Sequence, residues 1–159
     1  MRTRQDVPSR RAFLTATGSA AAVAAFTPGG AIAATLSDVE RANEKVVNDF
    51  CAAWATRDPD QIGSYLADDV SFRAIESAPR TEGREAVIGA LRDFLSSARS
   101  ARFEMLRSTV IGNTVMNERI DHFDTGDDQL AFHISGVFLV IDGKIKEWQD
   151  YTWPEVDEG

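Results

Sequence analysis

The chain has 159 residues, of which 43% are hydrophobic and 26% are charged, as is typical of a globular protein of about one domain. Its formal net charge of −8 argues against binding to nucleic acid or to an anionic membrane surface, because both need a basic surface. The single cysteine excludes an internal disulfide framework, and the two histidines, His122 and His133, leave little for a Cys/His zinc site.

The first 33 residues are basic although the chain as a whole is acidic. In this segment the pair Arg10-Arg11 precedes Phe13-Leu14 and a weakly apolar run from Ala16 to Phe26, and Ala31-Ile32-Ala33 follows. A basic region, a short apolar stretch and a small-x-small site define a secretory signal, and the paired arginines resemble a twin-arginine signal.

We therefore predict that residues 1–34 are a twin-arginine export signal and that residues 35–159 form the mature domain of a bacterial periplasmic or extracellular protein. After cleavage this domain is expected to have no membrane contact. The alternatives are an ordinary secretory signal and an uncleaved membrane anchor. The apolar run is shorter than the roughly 18–20 residues that a membrane span needs, which disfavours the anchor.

Helical patterns come first in the mature domain. Ser37 and Glu40 have the spacing of a capping box at the start of an amphipathic helix, and Asp58-Pro59-Asp60 interrupts that helix. The predicted elements of this half are helices over Ser37–Arg57, Pro59–Leu66 and Arg84–Ala98 and a short strand over Val70–Ile75.

After residue 100 the apolar period changes to two, which is typical of strands. The predicted strands are Arg102–Val110, Thr114–Phe123, Gln129–Val140 and Lys144–Tyr151. Polar residues 124–128 form a hairpin loop, and Asp142-Gly143 is a tight-turn signal. Helices followed by antiparallel strands predict an α+β fold with the helices packed on one face of a curved sheet.

Charged residues share strand faces with large aromatic residues. Arg119 and Asp121 lie on the same predicted strand face as Phe123, and Asp150 lies on the same face as Trp148. If the aromatic residues point inward, the charged residues do too, and an arginine between two carboxylates would compensate their burial. The alternation also permits the opposite arrangement, in which this face meets solvent.

Several motifs taken together resemble the limonene-1,2-epoxide hydrolase family of the NTF2-like and SnoaL-like domains. They are Gly83-Arg84-Glu85-Ala86-Val87, Glu118-Arg119-Ile120-Asp121, Gly136-Val137-Phe138 and Gly143-Lys144-Ile145-Lys146-Glu147-Trp148-Gln149-Asp150-Tyr151. The resemblance covers about residues 38–153. It implies a cone in which the helices pack on a curved, mixed, mainly antiparallel sheet that encloses a deep apolar pocket.

The resemblance also implies a reaction: the one-step addition of water to an epoxide, giving a diol, without metal or cofactor. Asp150 would be the general base, Asp121 the general acid and Arg119 the bridge between them. Acid catalysis suits the reaction because opening an epoxide releases an alkoxide. Two carboxyls in one apolar pocket would also have their pKa values pushed apart.

The sequence departs from the family on the short strand after the second helix. There the family holds its water with a tyrosine and an asparagine, whereas this chain has Phe72 and Ala74, whose side chains form no hydrogen bonds. Hydrolysis would then depend on another partner, such as Thr152. The alternatives are an epoxide-opening cyclase or isomerase, in which a substrate hydroxyl replaces water, and a pocket that binds small apolar ligands without turnover.

The remaining expectations concern the pocket and the partners. The predicted pocket lining is Phe72, Ala74, Phe123, Phe132, Ile134 and Trp148, with core packing as the alternative for Phe132 and Ile134. Such a lining favours an apolar, terpenoid- or steroid-like ligand. Cys51 is expected to be a buried apolar residue, and His122 and His133 to face away from the site. The family further implies a homodimer formed through the outer face of the sheet.

Overall fold

The computed structural model describes residues 35–153, and the predicted export signal, residues 1–34, lies outside the described residues. The helices are α1 (Asp38–Ala53), α2 (Pro59–Gly63) and α3 (Arg84–Ser96), and a 3₁₀ turn over Trp54–Thr56 follows α1. The predicted capping box is present: the Ser37 hydroxyl accepts from the Glu40 amide, and the Glu40 carboxylate accepts from the Ser37 amide at 2.8 Å. Asp58 caps α2 by accepting from the backbone amides of Asp60 and Gln61.

Within residues 35–153, six strands form one mixed sheet. They are β1 (Leu66–Arg73), β2 (Thr81–Glu82), β3 (Ser100–Ile111), β4 (Thr114–Asp124), β5 (Gln129–Ile141) and β6 (Lys144–Thr152). Their order across the sheet is β2-β1-β6-β5-β4-β3, and only the β1–β6 pair is parallel. The α+β expectation is confirmed.

Two predicted boundaries between the first helices and the sheet were wrong. The second helix ends at Gly63 rather than Leu66, and β1 begins at Leu66 and ends at Arg73, so Ala74 lies beyond it. The reason is tertiary: Leu66 pairs with Ile145 of β6, and this pairing draws the polar residues after Leu66 into a strand. No apolar alternation marks those residues in the sequence.

The helices cover the inner face of the sheet and close a core rich in aromatic residues. Phe50 of α1 is fully buried and makes edge-to-face contacts with Phe138 of β5 and Trp148 of β6, at ring-centroid distances of 6.0 and 4.9 Å. Leu91 of α3 is buried in the same cluster. Within residues 35–153, no helix has both the length and the apolar character needed to cross a bilayer.

Candidate active site

Three charged side chains of β4 and β6 lie inside this core. Arg119 is 0% exposed, and Asp121 and Asp150 are each 5% exposed. Strand alternation puts Arg119 and Asp121 on one face of β4, and the β4–β5–β6 register brings Asp150 beside them, because Gly136 of β5 pairs with both Asn117 and Asp150. The structure therefore brings together the three residues that the resemblance identified.

Arg119 hydrogen-bonds both carboxylates, but not equally. Asp121 accepts two bonds, from Nε at 2.8 Å and from Nη2 at 3.1 Å. Asp150 accepts one bond through Oδ2, from Nη2 at 2.8 Å, and its buried Oδ1 has no hydrogen-bond partner. One guanidinium thus bridges two carboxyl groups, donating two hydrogen bonds to Asp121 and one to Asp150.

The far side of the guanidinium is held by Asn117, which sequence reasoning missed. Nη1 of Arg119 donates to Oδ1 of Asn117 at 3.0 Å, and Nδ2 of Asn117 reaches Sγ of Cys51 at 3.5 Å. A signal was available, since Asn117 lies two residues before Arg119 on the same strand face. Gly136 provides the space: a Cβ there would collide with Nη1 of Arg119 and lie 2.7 Å from Oδ1 of Asn117.

Burial dominates the electrostatics of the site. It raises the pKa of Asp121 to about 6 and raises the pKa of Asp150 as well, in both cases against the opposing effect of Arg119. For Arg119, burial acts to lower the pKa, but Asp150 and Asp121 outweigh it and hold the pKa above its ordinary value. Burial also raises the pKa of the Cys51 thiol to about 12, so this thiol stays protonated.

Aromatic rings cover the charged groups on the helix side. The ring of Phe103 lies over the guanidinium, 4.7 Å from Cζ of Arg119, and Trp54 stacks on Phe103 with 4.4 Å between ring centroids. Trp148 contacts Trp54 edge to face at 6.0 Å. The resemblance implied a deep pocket, whereas in the structure these rings fill the space directly in front of Arg119.

The predicted lining residues divide into an interior set and an exposed set. Phe72, Phe123, Ile134 and Trp148 are buried, and Phe72 stacks on Trp148 at 3.9 Å. Phe132 is 43% exposed. Ala74 is exposed beyond the end of β1, so the structure does not place it beside the carboxylates.

The other reactive residue types lie apart from this site. His122 and His133 are on the outer face of the sheet, paired with Glu104 at 3.0 Å and with Glu118 at 2.7 Å. Within residues 35–153, no three His, Cys, Asp or Glu side chains come together in a way that could hold a metal ion.

The fold and the enclosed arginine–carboxylate group define an α+β protein of the NTF2-like and SnoaL-like fold. The family model for the limonene-1,2-epoxide hydrolase catalytic domain matches residues 41–153, and the chain belongs to that family.

Solved structures support this assignment. An LEH-like epoxide hydrolase of M. tuberculosis is 26% identical with a TM-score of 0.66, covering 72% of this chain and 84% of its own. Two others are similar in fold alone. SalBIII, an epoxide hydrolase/cyclase-like enzyme of pyran ring formation in salinomycin, is 15% identical (TM-score 0.65; 72% and 92% covered). A SnoaL-like protein from Jannaschia sp. CCS1 is 16% identical (TM-score 0.65; 74% and 90% covered).

Proposed function

We propose that this protein is an epoxide hydrolase that adds water to a small apolar epoxide in one acid–base step and releases a diol. Asp121, Arg119 and Asp150 would carry the reaction without a cofactor. One carboxylate takes a proton from water as the water oxygen bonds to an epoxide carbon. The other, protonated, gives its proton to the epoxide oxygen as the C–O bond breaks.

The observation that carries the proposal is the pair of buried carboxyl groups on one guanidinium. A free aspartic acid has a pKa of about 3.9 and is a poor acid at neutral pH, but burial raises the pKa of both groups here. Arg119 compensates a single negative charge, so the pair favours holding one proton between its members. A pair that holds one proton has both the base and the acid that epoxide opening needs.

The surroundings favour an apolar substrate. Phe103, Phe123, Phe72 and Trp148 surround the charged groups and offer no charged partner to a ligand. Because Trp54 and Phe103 fill the space before Arg119, a substrate reaches the carboxylates by displacing at least one of these rings. Terpenoid- or steroid-like epoxides have the apolar character that such a site accepts.

A second candidate, an epoxide-opening cyclase, is favoured by one observation. Phe72 lies flat against Trp148, and Thr152 donates its hydroxyl to Glu76, so neither side chain holds a water for Asp150. A hydroxyl of the substrate itself would need no such partner. The cyclase product would have the mass of its substrate.

The test is incubation of the protein with terpene, cyclohexene and steroid epoxides, with products followed by mass spectrometry beside Asp150→Asn. Hydrolysis predicts a gain of one water that is lost in the variant. A product of unchanged mass from a hydroxy-epoxide, lost in the same variant, would support the cyclase. If no epoxide is turned over and an apolar ligand binds wild type and variant equally, the protein is a binding module and the enzymatic proposal fails.

Export is a further part of the proposal. The twin-arginine pattern at Arg10-Arg11 supports translocation of a folded domain that begins near Thr35. Fusion of residues 1–40 to a reporter that is active only after export tests this. The signal should fail when Arg10 and Arg11 are both changed to lysine, and an unaffected fusion would contradict the twin-arginine route.

We also propose that the domain forms a homodimer through the outer face of the sheet. Met116, Tyr151 and Trp153 are 41–46% exposed on or beside this face, and Met116 and Trp153 line a cleft of about 310 Å³. Exposed apolar groups on one sheet face are typical of an interface. Light scattering should show a dimer that Met116→Glu weakens, and a monomeric wild type would contradict the proposal.

A further inference from the structure

Two buried polar atoms on the inner face of β6 have no hydrogen-bond partner among the described residues. They are Nε1 of Trp148, which is a donor, and Oδ1 of Asp150, which is an acceptor. Trp148 is 1% exposed and Asp150 is 5% exposed, so neither atom reaches bulk solvent. A buried donor or acceptor without a partner is costly, so a neighbouring donor and acceptor of this kind indicate a site for a polar ligand or a water.

The two groups lie beside each other. Trp148 and Asp150 are two residues apart on one strand, so their side chains share the inner face. Burial raises the pKa of Asp150, and the indole N–H of Trp148 is close enough to this carboxyl to oppose that rise, although the two form no aligned hydrogen bond. A water that accepts from the indole N–H and donates to Oδ1 of Asp150 would satisfy both groups.

Neighbouring rings, and not a hydrogen bond, fix the direction of the indole N–H. Phe72 of β1 stacks on the Trp148 ring with 3.9 Å between the ring centroids and 28° between the ring planes. Phe50 of α1 meets the same ring edge to face at 4.9 Å. Because β1 and α1 both hold the indole, its N–H can turn away from Asp150 only if these rings move.

The charges of the site agree with a water at Asp150. Burial raises the pKa of Asp121, and the negative charge of Asp150 adds to that rise, against the effect of Arg119. Asp121 is therefore the proton donor of the pair, and Asp150, ionised, is the base that takes a proton from water. A side chain that holds this water has to lie beside Asp150, as Trp148 does.

We propose that the indole N–H of Trp148 positions the attacking water on Asp150. It would do so in place of the hydrogen-bonding side chains that this chain lacks at Phe72 and Ala74, and the inference rests on the proposed hydrolysis. Asp150 takes one proton of the water as its oxygen bonds to an epoxide carbon, and Asp121 gives its proton to the epoxide oxygen as the C–O bond breaks. The indole keeps its own proton and stabilises the negative charge that develops on the water oxygen. A proton then passes from Asp150 to Asp121 before the next turnover.

Competition between water and azide tests this role. Azide attacks an epoxide carbon without losing a proton, so it needs neither the base nor the group that holds the water. With Trp148→Phe, which keeps an aromatic ring at this position, we expect diol formation to fall roughly 10-fold in kcat at a nearly unchanged KM, and azido alcohol formation to be retained. An equal fall of both products, or an unchanged rate of diol formation, would show that Trp148 only packs in the core.

Trp54→Phe is the matched control. It removes another indole N–H that is buried without a partner in the same aromatic cluster, and Trp54 contacts Trp148 edge to face at 6.0 Å. Trp54 lies before Arg119 and not beside Asp150, so its replacement should leave the ratio of azido alcohol to diol at the wild-type value, whatever its effect on the total rate. A ratio that rises equally in both variants would overturn the inference.

A second measurement does not depend on turnover. The chain has three tryptophans, and the indole N–H signal of Trp148 is the one that Trp148→Phe removes from the NMR spectrum of isotope-labelled protein. In wild type we expect a cross-peak between this N–H and a long-lived water, and we expect its loss in Asp150→Leu, which removes the acceptor. No cross-peak in wild type, or a cross-peak that persists in Asp150→Leu, would overturn the inference.

The two experiments separate the failure of this inference from that of the proposed function. If wild type forms no diol from any epoxide, the proposed hydrolysis fails, and the water cross-peak still decides whether Trp148 and Asp150 hold a water. If wild type forms diol and Trp148→Phe leaves the competition between water and azide unchanged, the function stands and the role of Trp148 is wrong.

Discussion

On β4, Arg119 and Asp121 face the inside of the sheet, and Glu118 and His122, which alternate with them, face the outside. The inner pair is almost fully buried, and the pKa of Asp121 rises to about 6 because of that burial. On the outer face, Glu118 accepts hydrogen bonds from His133 and Arg107, and these contacts lower the pKa of Glu118. Two carboxyl groups on one strand thus have opposite pKa shifts, because desolvation dominates on the inner face and hydrogen bonds to the carboxylate dominate on the outer face.

Removing the arginine from each face should give the largest contrast. Arg119→Met leaves two buried carboxyl groups without their counter-charge, and we expect it to lower the free energy of unfolding by about 3–5 kcal/mol and to abolish turnover. Arg107→Met, on the outer face, should leave both nearly unchanged. Urea denaturation and epoxide turnover measure the two effects. Equal destabilisation by the two variants would show that the inner ion pairs have no special role.

Filling the space at Gly136 tests how closely the inner group is fitted. Gly136→Ala puts a methyl group against Nη1 of Arg119, and we expect turnover to fall by roughly 100-fold because the guanidinium is displaced. Gly89→Ala in α3 is the control, since nothing lies within 4 Å of its added Cβ. It should raise the free energy of unfolding by about 0.5–1 kcal/mol. If Gly136→Ala turned over epoxide as fast as wild type, the close approach of Gly136 to the Arg119 guanidinium would not matter for activity.

A change at Asn117 tests whether Nη1 of Arg119 needs a hydrogen-bond acceptor. Asn117→Ala removes the bond to Nη1, and the loss of a hydrogen bond to a charged group predicts a fall in kcat of roughly 10-fold, with a smaller change in KM. Ser108→Ala lies opposite Asn117 on β3 and removes no hydrogen bond, so its kinetics should match wild type. If both variants behave alike, Asn117 does not position Arg119.

The pH dependence of the free energy of unfolding should differ in sign between the carboxyl groups on the inner and outer faces of β4. Folding raises the pKa of Asp121 from 3.8 to about 6, so the native state binds more protons than the unfolded state between about pH 4 and pH 6. The contribution of this group to stability is full below pH 4 and is lost as pH rises through 6, with a slope of at most about 1.4 kcal/mol per pH unit. Asp121→Asn should remove it.

The lowered pKa of Glu118 has the reverse effect: its contribution is present above the ordinary pKa of glutamate and is lost as pH falls. Denaturation curves of wild type, Asp121→Asn and Glu118→Gln between pH 3 and pH 8 measure both. Turnover should also fall as the pH drops far enough to protonate both carboxyl groups. A wild-type stability profile that Asp121→Asn does not alter would contradict the raised pKa.

Much of the architecture could be predicted from local chemistry. The Ser37–Glu40 capping box fixed the start of α1, and Asp142 and Gly143, with φ of 50° and 72°, form the tight turn that their residue types predict. The change of apolar period from helical to two predicted β3 to β6. The start of β1 could not be predicted, since it depends on Leu66 pairing with Ile145, far away in the chain.

For the site, the alternation of β4 determined which residues share a face with Arg119, and the family motifs selected which face is inside. The sequence by itself therefore specified the three charged residues and their common direction. Only the tertiary structure decided what surrounds them. Asn117 and Gly136 meet the guanidinium through the register of β4, β5 and β6, and Trp54 and Phe103 cover it from separate elements. Burial and hydrogen-bond geometry, which set where a proton resides, arise from residues distant in sequence and cannot be derived from the spacing of Arg119, Asp121 and Asp150.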